Sequence, residues 1–259
     1  MRYFIHLAYR GTNYSGWQIQ NNAITVQGVL NDRLSKLLRQ NIETVGAGRT
    51  DAGVHAIQFF AHFDVNTEID DCQEITHRLN RMLPADIVVY KVFRVDVQSH
   101  ARYDALSRTY HYVIEVAKNP FSCNLTTIRK KVPDIELMNQ AANKLLNVSD
   151  FKSFCKIGSD NKTTICDVSF AQWTQPCENL YVFEIAADRF LRNMVRAIVG
   201  TLLEVGEHKI TISDFEEIVN EHDRSKAGES VDPNGLYLSQ IVYPYFKKIK
   251  IMSPFNFIL

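Results

Sequence analysis

An α+β fold is what the sequence predicts, and three observations carry that prediction. Short β-rich runs alternate with stretches of helical period. The element types of the first hundred residues recur in the rest of the chain. No low-complexity segment, charge block or Pro/Gly-rich linker divides the two series, and they share no repeat at the level of residues.

Residues 2–9 alternate and carry aromatic and branched side chains, the pattern of a strand. Thr25 opens an amphipathic helix whose Val26, Val29, Leu30, Leu34, Leu37 and Leu38 fall on one stripe. Residues 56–65 alternate cleanly, with Ile57, Phe59, Ala61, Phe63 and Val65 on one face and Gln58, Phe60, His62 and Asp64 on the other. Asp71, with Glu74 three residues on, starts a short helix, and 87–97 is a long β-rich run. The second series has a strand at 108–116 and a helix capped by Asp134. Two strands follow at 164–173 and 180–187, then a long helix from about Phe190 to Glu204. Ser213 with Glu216 starts another helix, and a closing strand runs over 236–243. Strands split by helices in this order predict two ferredoxin-like (RRM-like) halves, residues 1–105 and 106–259. They would share a mostly antiparallel central sheet, with helices packed outside.

Composition narrows the class. The chain has 259 residues, 46% apolar and 22% charged, enough for a substantial core. Its opening residues are too few and too polar for a secretory signal. No apolar run approaches the roughly 20 residues that span a bilayer. A soluble cytoplasmic protein without a membrane partner is expected. Five cysteines, odd in number and without a C-x-x-C pair, argue for free thiols and against a disulfide framework or a thiolate zinc site. Lys plus Arg equals Asp plus Glu, 29 each, so the net charge is zero. Nucleic-acid binders are usually basic, and only local clustering reconciles a balanced chain with such a partner.

The most informative stretch is Gly46-Ala47-Gly48-Arg49-Thr50-Asp51-Ala52-Gly53-Val54-His55-Ala56, a loop between a helix and a strand. Three glycines in eight positions permit backbone shapes closed to other residues and close approach of a ligand. An acid, a base and a hydroxyl sit inside it. By its residues alone the loop is open to three readings: a carboxylate aimed into a cleft, a tight turn in which Asp51 caps amides, or a phosphate cradle. The last is the weakest, because no P-loop or dinucleotide spacing fits.

The segment from Gly48 to His55 resembles the catalytic loop of the tRNA pseudouridine synthase A family, G-R-T-D-A-G-V-H, at every position. Tyr9-Arg10-Gly11-Thr12-Asn13-Tyr14-Ser15-Gly16-Trp17-Gln18 is similar to the family's Y-D-G-T-x-Y-x-G-W-Q, with Arg10 in place of the usual Asp. Thr25-Val26-Gln27-Gly28, Asn80-Arg81-Met82-Leu83-Pro84 and His100-Ala101-Arg102 resemble further motifs, as do Ala105, Arg108, Tyr110 and Tyr112. The run Phe190-Leu191-Arg192-Asn193-Met194-Val195-Arg196 and onward to Gly206 is close to F-L-x-x-M-V-R-x-I-V-G-T-L-L-E-V-G, and Gly235-Leu236-Tyr237-Leu238 completes the set. Two departures bear on RNA grip. Ala187-Asp188-Arg189 stands where Gly-Asn is frequent, and Cys166 where many members carry Arg.

The resemblance implies an isomerase that converts uridine to pseudouridine at positions 38, 39 and 40 of the tRNA anticodon stem-loop. It implies a homodimer, a cleft between the halves, and no metal or organic cofactor. It makes Asp51 the catalytic carboxylate, Arg196 its ion-pair partner and Tyr110 the ring against the target base. Read without the family, Arg189, Arg192 and Arg196 form a stripe on one helix, ordinarily a solvated face. The apolar residues around Arg196 suggest instead that at least one arginine points inward, with Arg189 or Arg192 left for phosphate. Arg49 would help extract the nucleotide, and Thr50 and His55 belong to the same substrate-facing signature. Arg102 and Arg108 would supply basic lining around Tyr110. His55 and His62 lack a third ligand at metal spacing and read as satisfied histidines. Alternatives are a synthase acting on other tRNA positions or another RNA, a non-catalytic RNA-binding relative, and an unrelated nucleotide-binding enzyme.

Overall fold

The computed structural model describes residues 1–159 and 161–246. Over these residues the chain is an α+β protein with five α-helices and nine strands in mixed, mostly antiparallel pairing. It divides into two compact units. One holds Met1–Leu106 with the chain from Leu238 to the last described residue; the other holds Ser107–Tyr237. The predicted end of the second half, residues 247–259, lies outside the described residues.

The first unit runs β1 (Arg2–Tyr9), α1 (Val26–Leu38), β2 (Val45–Gly46), β3 (His55–Asp64), α2 (Cys72–Met82) and β4 (Ile87–Val95). β1 is central, antiparallel to β3 through pairs such as Tyr3 with Phe63, and antiparallel to β4 on its other edge. α1 begins where expected, the Thr25 hydroxyl accepting the Gly28 N–H at 3.2 Å. Asp71 caps α2 by accepting from the N–H groups of Gln73 and Glu74. Each of these caps is worth about 1 kcal/mol. Helix burial through Leu30, Leu34 and Leu79 adds roughly 1.5–3 kcal/mol per side chain.

β3, whose alternating residues define two faces, is buried on both of them. Its Gln58–Phe60–His62 face is covered within the same unit. Gln58 Oε1 accepts the Ile241 N–H at 2.8 Å, Phe60 packs edge-on against Tyr243, and His62 Nδ1 accepts the Ala101 N–H at 3.1 Å.

The second unit runs β5 (Ser107–Glu115), β6 (Thr127–Ile128), α3 (Ile135–Lys144), β7 (Val168–Cys177), β8 (Leu180–Ala187), α4 (Met194–Gly206) and α5 (Ile212–Glu221). Its strands lie in the order β5-β8-β7, antiparallel, with β6 parallel to β5. The ninth strand, β9 (Leu236–Val242), contains the point at which the chain passes from one unit to the other. Asp134 caps α3 as read from the sequence. Three boundaries differ from expectation. β7 starts four residues later than the predicted strand and runs four further. α5 is opened by Thr211 and Asp214 in a reciprocal capping box, two residues before the Ser213–Glu216 pair that was expected to open it. α4 begins at Met194, because Asn193 adopts a left-handed conformation (φ 66°) that an α-helix does not continue through.

Two buried histidines of the first unit, His6 and His62, contribute to its acid sensitivity. Burial holds His6, stacked 4.7 Å from Phe60, down at about 4. Burial also brings His62 to about 4; Arg2 and His100 push the same way, against Asp64 and Asp104. Both rings are neutral when folded, whereas ordinary histidines of the unfolded chain take up protons below about 6.5. Between pH 6.5 and 4 the unfolded state therefore binds more protons, so stability is full above that window and falls as pH drops through it. Urea unfolding across this range should show the midpoint falling with acid, and His6→Phe should flatten the slope. A midpoint that is flat with pH would contradict the assignment.

Candidate active site

The Asp51 loop is built by the two motifs that precede it. Residues 9–18 lie along the loop and hold it with backbone bonds: Trp17 N–H to the Thr50 carbonyl at 3.3 Å, and Gly53 N–H to the Tyr14 carbonyl at 3.2 Å. Val54 N–H closes the loop on the Asp51 carbonyl at 3.2 Å. Side chains complete the frame. The Tyr9 and Thr50 hydroxyls bond at 2.9 Å, and His55 Nδ1 accepts the Gly11 N–H at 3.0 Å. Tyr14 in turn donates its hydroxyl to the Asp86 carboxylate, which also receives the Asn13 amide. Gln27 of the Thr-Val-Gln-Gly helix start is a buried junction. It accepts from the Ile19 N–H and the Gln18 amide, and donates to the Thr44 carbonyl at 2.6 Å.

The glycines now have separate reasons. Gly16 (φ 85°) passes so close to the loop that an added Cβ would overlap the Thr50 carbonyl oxygen. Gly53 has φ 80°, a region that favours glycine. Gly46 leaves room for the Trp17 indole, which is itself 4.2 Å from the Phe59 ring. Gly48 meets neither condition: a Cβ there would touch nothing within 4 Å.

Within this frame Thr50, Val54 and His55 are buried, Asp51 is half-buried and Arg49 is exposed. His55, 2% exposed, braces the loop through its ring nitrogen. A neutral imidazole accepting at Nδ1 carries its proton on Nε2. Arg10, where the family pattern has Asp, is exposed, and its backbone N–H donates to the Asp86 carbonyl. Arg102 is exposed on the turn after β4, its guanidinium 5.7 Å from the Tyr103 ring centre.

In the second unit Tyr110 is half-buried on β5, and Phe190 meets its ring edge-on with centroids 5.0 Å apart. Its strand neighbour Tyr112 is fully buried and donates its hydroxyl to the Asp232 carbonyl at 2.8 Å, as expected of a core residue. Arg108 Nη1 donates to the Asp188 carbonyl at 2.7 Å, and Asp188 accepts the N–H groups of Asp167 and Arg189. Arg108 therefore positions the turn that leads to Phe190. Arg189 and Arg192 sit in this turn and not on α4, which corrects the predicted helical stripe of three arginines. Cys166 is buried, and desolvation pushes its thiol up to about 12; it faces the Arg189 charge.

Every residue of α4 is buried except Arg196 and Glu204. Arg196 Nε donates to the Val231 carbonyl at 2.7 Å, and the Val231 N–H returns a bond to the Arg196 carbonyl. Ser230 accepts from the Asn193 amide and from Arg224, which also holds the Ala227 carbonyl. Gly228 donates to the Thr201 hydroxyl, and Gly200 leaves space for the Glu229 carbonyl. Residues 224–232 thus form a strap along α4 that fixes Arg196 by both backbone and Nε. The sequence reading missed this strap, whose only local signals were Gly200 inside the helix and Gly228. Asp86 was missed too.

The profile of the family described as tRNA pseudouridine synthase matches residues 6–104 and 141–244, covering the Asp51 loop and α4 alike. This defines the class: an isomerase that makes pseudouridine in tRNA. The relatives narrow it. The tRNA pseudouridine synthase A of Bacteroides fragilis is 51% identical over 243 residues, 94% of this chain and 96% of that protein. That of Porphyromonas gingivalis is 48% identical over 245 residues (94% and 97%), and that of Acetivibrio thermocellus 40% over 242 (92% and 97%). The chain belongs to the tRNA pseudouridine synthase A family. Among the described residues no helix is long and apolar enough to cross a membrane.

Proposed function

We propose that this enzyme isomerises uridines 38, 39 and 40 in the anticodon stem-loop of tRNA, in a cleft between two ferredoxin-like halves, with Asp51 as the catalytic carboxylate. One observation carries the reading: the eight residues from Gly48 to His55 lie in a loop held by backbone and side-chain bonds, with Asp51 half-buried between the buried Thr50 and the buried Val54 and His55. Such a frame fixes a carboxylate at low entropic cost, which is what a nucleophile or base needs.

The reaction breaks N1–C1′, turns the uracil and forms C5–C1′; the C5 proton leaves and N1 ends protonated. Nothing is oxidised and no atom is lost overall, so no electron carrier is called for. Asp51 would act at C1′ or C6. Arg196, anchored through Nε, would present its remaining N–H groups to the carboxylate and keep it ionised. Tyr110, steadied by Phe190, would lie against the uracil and exclude water. Arg49 would enter the space the flipped nucleotide leaves, and Arg189 and Arg192, in the turn before α4, would meet phosphates. A homodimer serving one tRNA from both subunits completes the proposal.

An unmodified tRNA transcript carrying uridines at 38, 39 and 40, incubated with the protein and mapped by carbodiimide-dependent reverse-transcription stops, should show stops at those positions. Stops elsewhere would move the activity to another site. Sedimentation velocity with and without tRNA tests the dimer.

A further inference from the structure

The turn Ser99–Asp104, which carries the His-Ala-Arg motif, is held far more firmly than a surface turn requires. Arg2 Nη1 donates to the Ser99 carbonyl at 3.1 Å, and Asp104 accepts the His100 N–H at 2.7 Å and the Tyr245 hydroxyl at 3.1 Å. Ala101, fully buried, gives its N–H to His62 Nδ1 and accepts the Tyr243 hydroxyl on its carbonyl. His100 Nδ1 accepts the N–H groups of both Arg102 and Tyr103, and its ring lies 4.3 Å from the Tyr103 ring at a 30° tilt. The product of this bracing is an aromatic ring left 75% exposed, with the Arg102 guanidinium 5.7 Å from its centre.

A tyrosine so exposed contributes little to the core. A ring held still beside a cation is what stacking on a nucleobase needs, because the ordering entropy is already spent before binding. Resting on the tRNA reading above, we propose that Tyr103 is a stacking contact for an unpaired tRNA base, with Arg102 on a phosphate beside it. The net-zero charge of the chain strengthens the case. With no net positive charge over the chain, fixed local pairs of this kind add to its grip on RNA.

The test is single-turnover pseudouridine formation at increasing excess of enzyme over tRNA transcript, which separates Kd from the maximal rate. Tyr103→Ala should raise Kd about 5- to 100-fold, with the loss falling on binding and not on the maximal rate, and without a lowered Tm. Tyr103→Phe should restore affinity, and Tyr103→Leu should not. Arg102→Ala should reduce the salt dependence of Kd by about one counterion, whereas Tyr103→Ala should leave that slope intact. An unchanged Kd in Tyr103→Ala overturns the proposal. So does a loss of affinity that tracks dissociation of a dimer in sedimentation, which would make the ring a contact between copies. Absence of product with the wild-type protein would instead strike the tRNA reading itself.

Discussion

Asp51→Asn is expected to leave a folded, tRNA-binding protein that makes no detectable pseudouridine. The substitution keeps the shape of the side chain, and the loop is held by groups other than that carboxylate. Thr50 is fixed by Trp17 and Tyr9, Gly53 by Tyr14, and His55 by Gly11. The Val54 N–H bonds to the Asp51 carbonyl, which the change does not touch. What is lost is the negative charge, and with it the nucleophilic and basic character proposed for Asp51. Removing such a group costs at least about 10³-fold, on the order of 4 kcal/mol in the barrier. The checks are single-turnover rate, tRNA affinity and thermal unfolding on the same preparation. Turnover within tenfold of wild type would remove Asp51 from the chemistry. Loss of tRNA binding together with activity would assign it to recognition.

Much of this was readable before any coordinates. Caps at Thr25, Asp71 and Asp134 are local events: one side-chain oxygen meets amides two or three residues away, and the sequence spacing contains the whole interaction. The Gly48–His55 loop was readable for a different reason, as an uninterrupted motif. Errors arose where distant residues decide. Nothing near Asn193 announces its left-handed turn, which is accompanied by a bond from its amide to Ser230, 37 residues on. That turn removed Arg189 and Arg192 from the helix. The alternation of β3 left the burial of its second face open, because that face is covered by Ile241 and Tyr243, which follow some 180 residues later. At α5 two capping patterns overlapped, and the one in which Asp214 accepts the Thr211 N–H in return prevailed. His55, read both as a satisfied histidine and among the substrate-facing residues, has a partner that only the fold identifies, the Gly11 N–H 44 positions away.

The bracing of the loop makes a contrasting pair of substitutions informative, Gly16→Ala and Gly48→Ala. At Gly16 two penalties combine. A φ of 85° costs an alanine about 1 kcal/mol. The new Cβ would also collide with the Thr50 carbonyl, a backbone atom already bonded to the Trp17 N–H, so relief requires moving the segment that carries Asp51. Together they should destabilise by about 2–4 kcal/mol, lowering Tm by roughly 5–15 °C. A carboxylate displaced by even about 1 Å should cost on the order of 10²-fold in rate. Gly48 lies in the same signature, yet it has neither a positive φ nor a neighbour within 4 Å of an added Cβ. Alanine there should leave Tm unchanged or raise it slightly, by reducing the freedom of the unfolded chain. Its activity then becomes diagnostic. A stable Gly48→Ala enzyme with weakened tRNA affinity would mean that RNA comes against the backbone at that glycine. Full activity would leave the glycine without a structural or substrate-contact reason. A Gly16→Ala protein with wild-type Tm and rate would show that the loop yields at Thr50 without moving Asp51, and would end the argument that residues 9–18 aim the carboxylate.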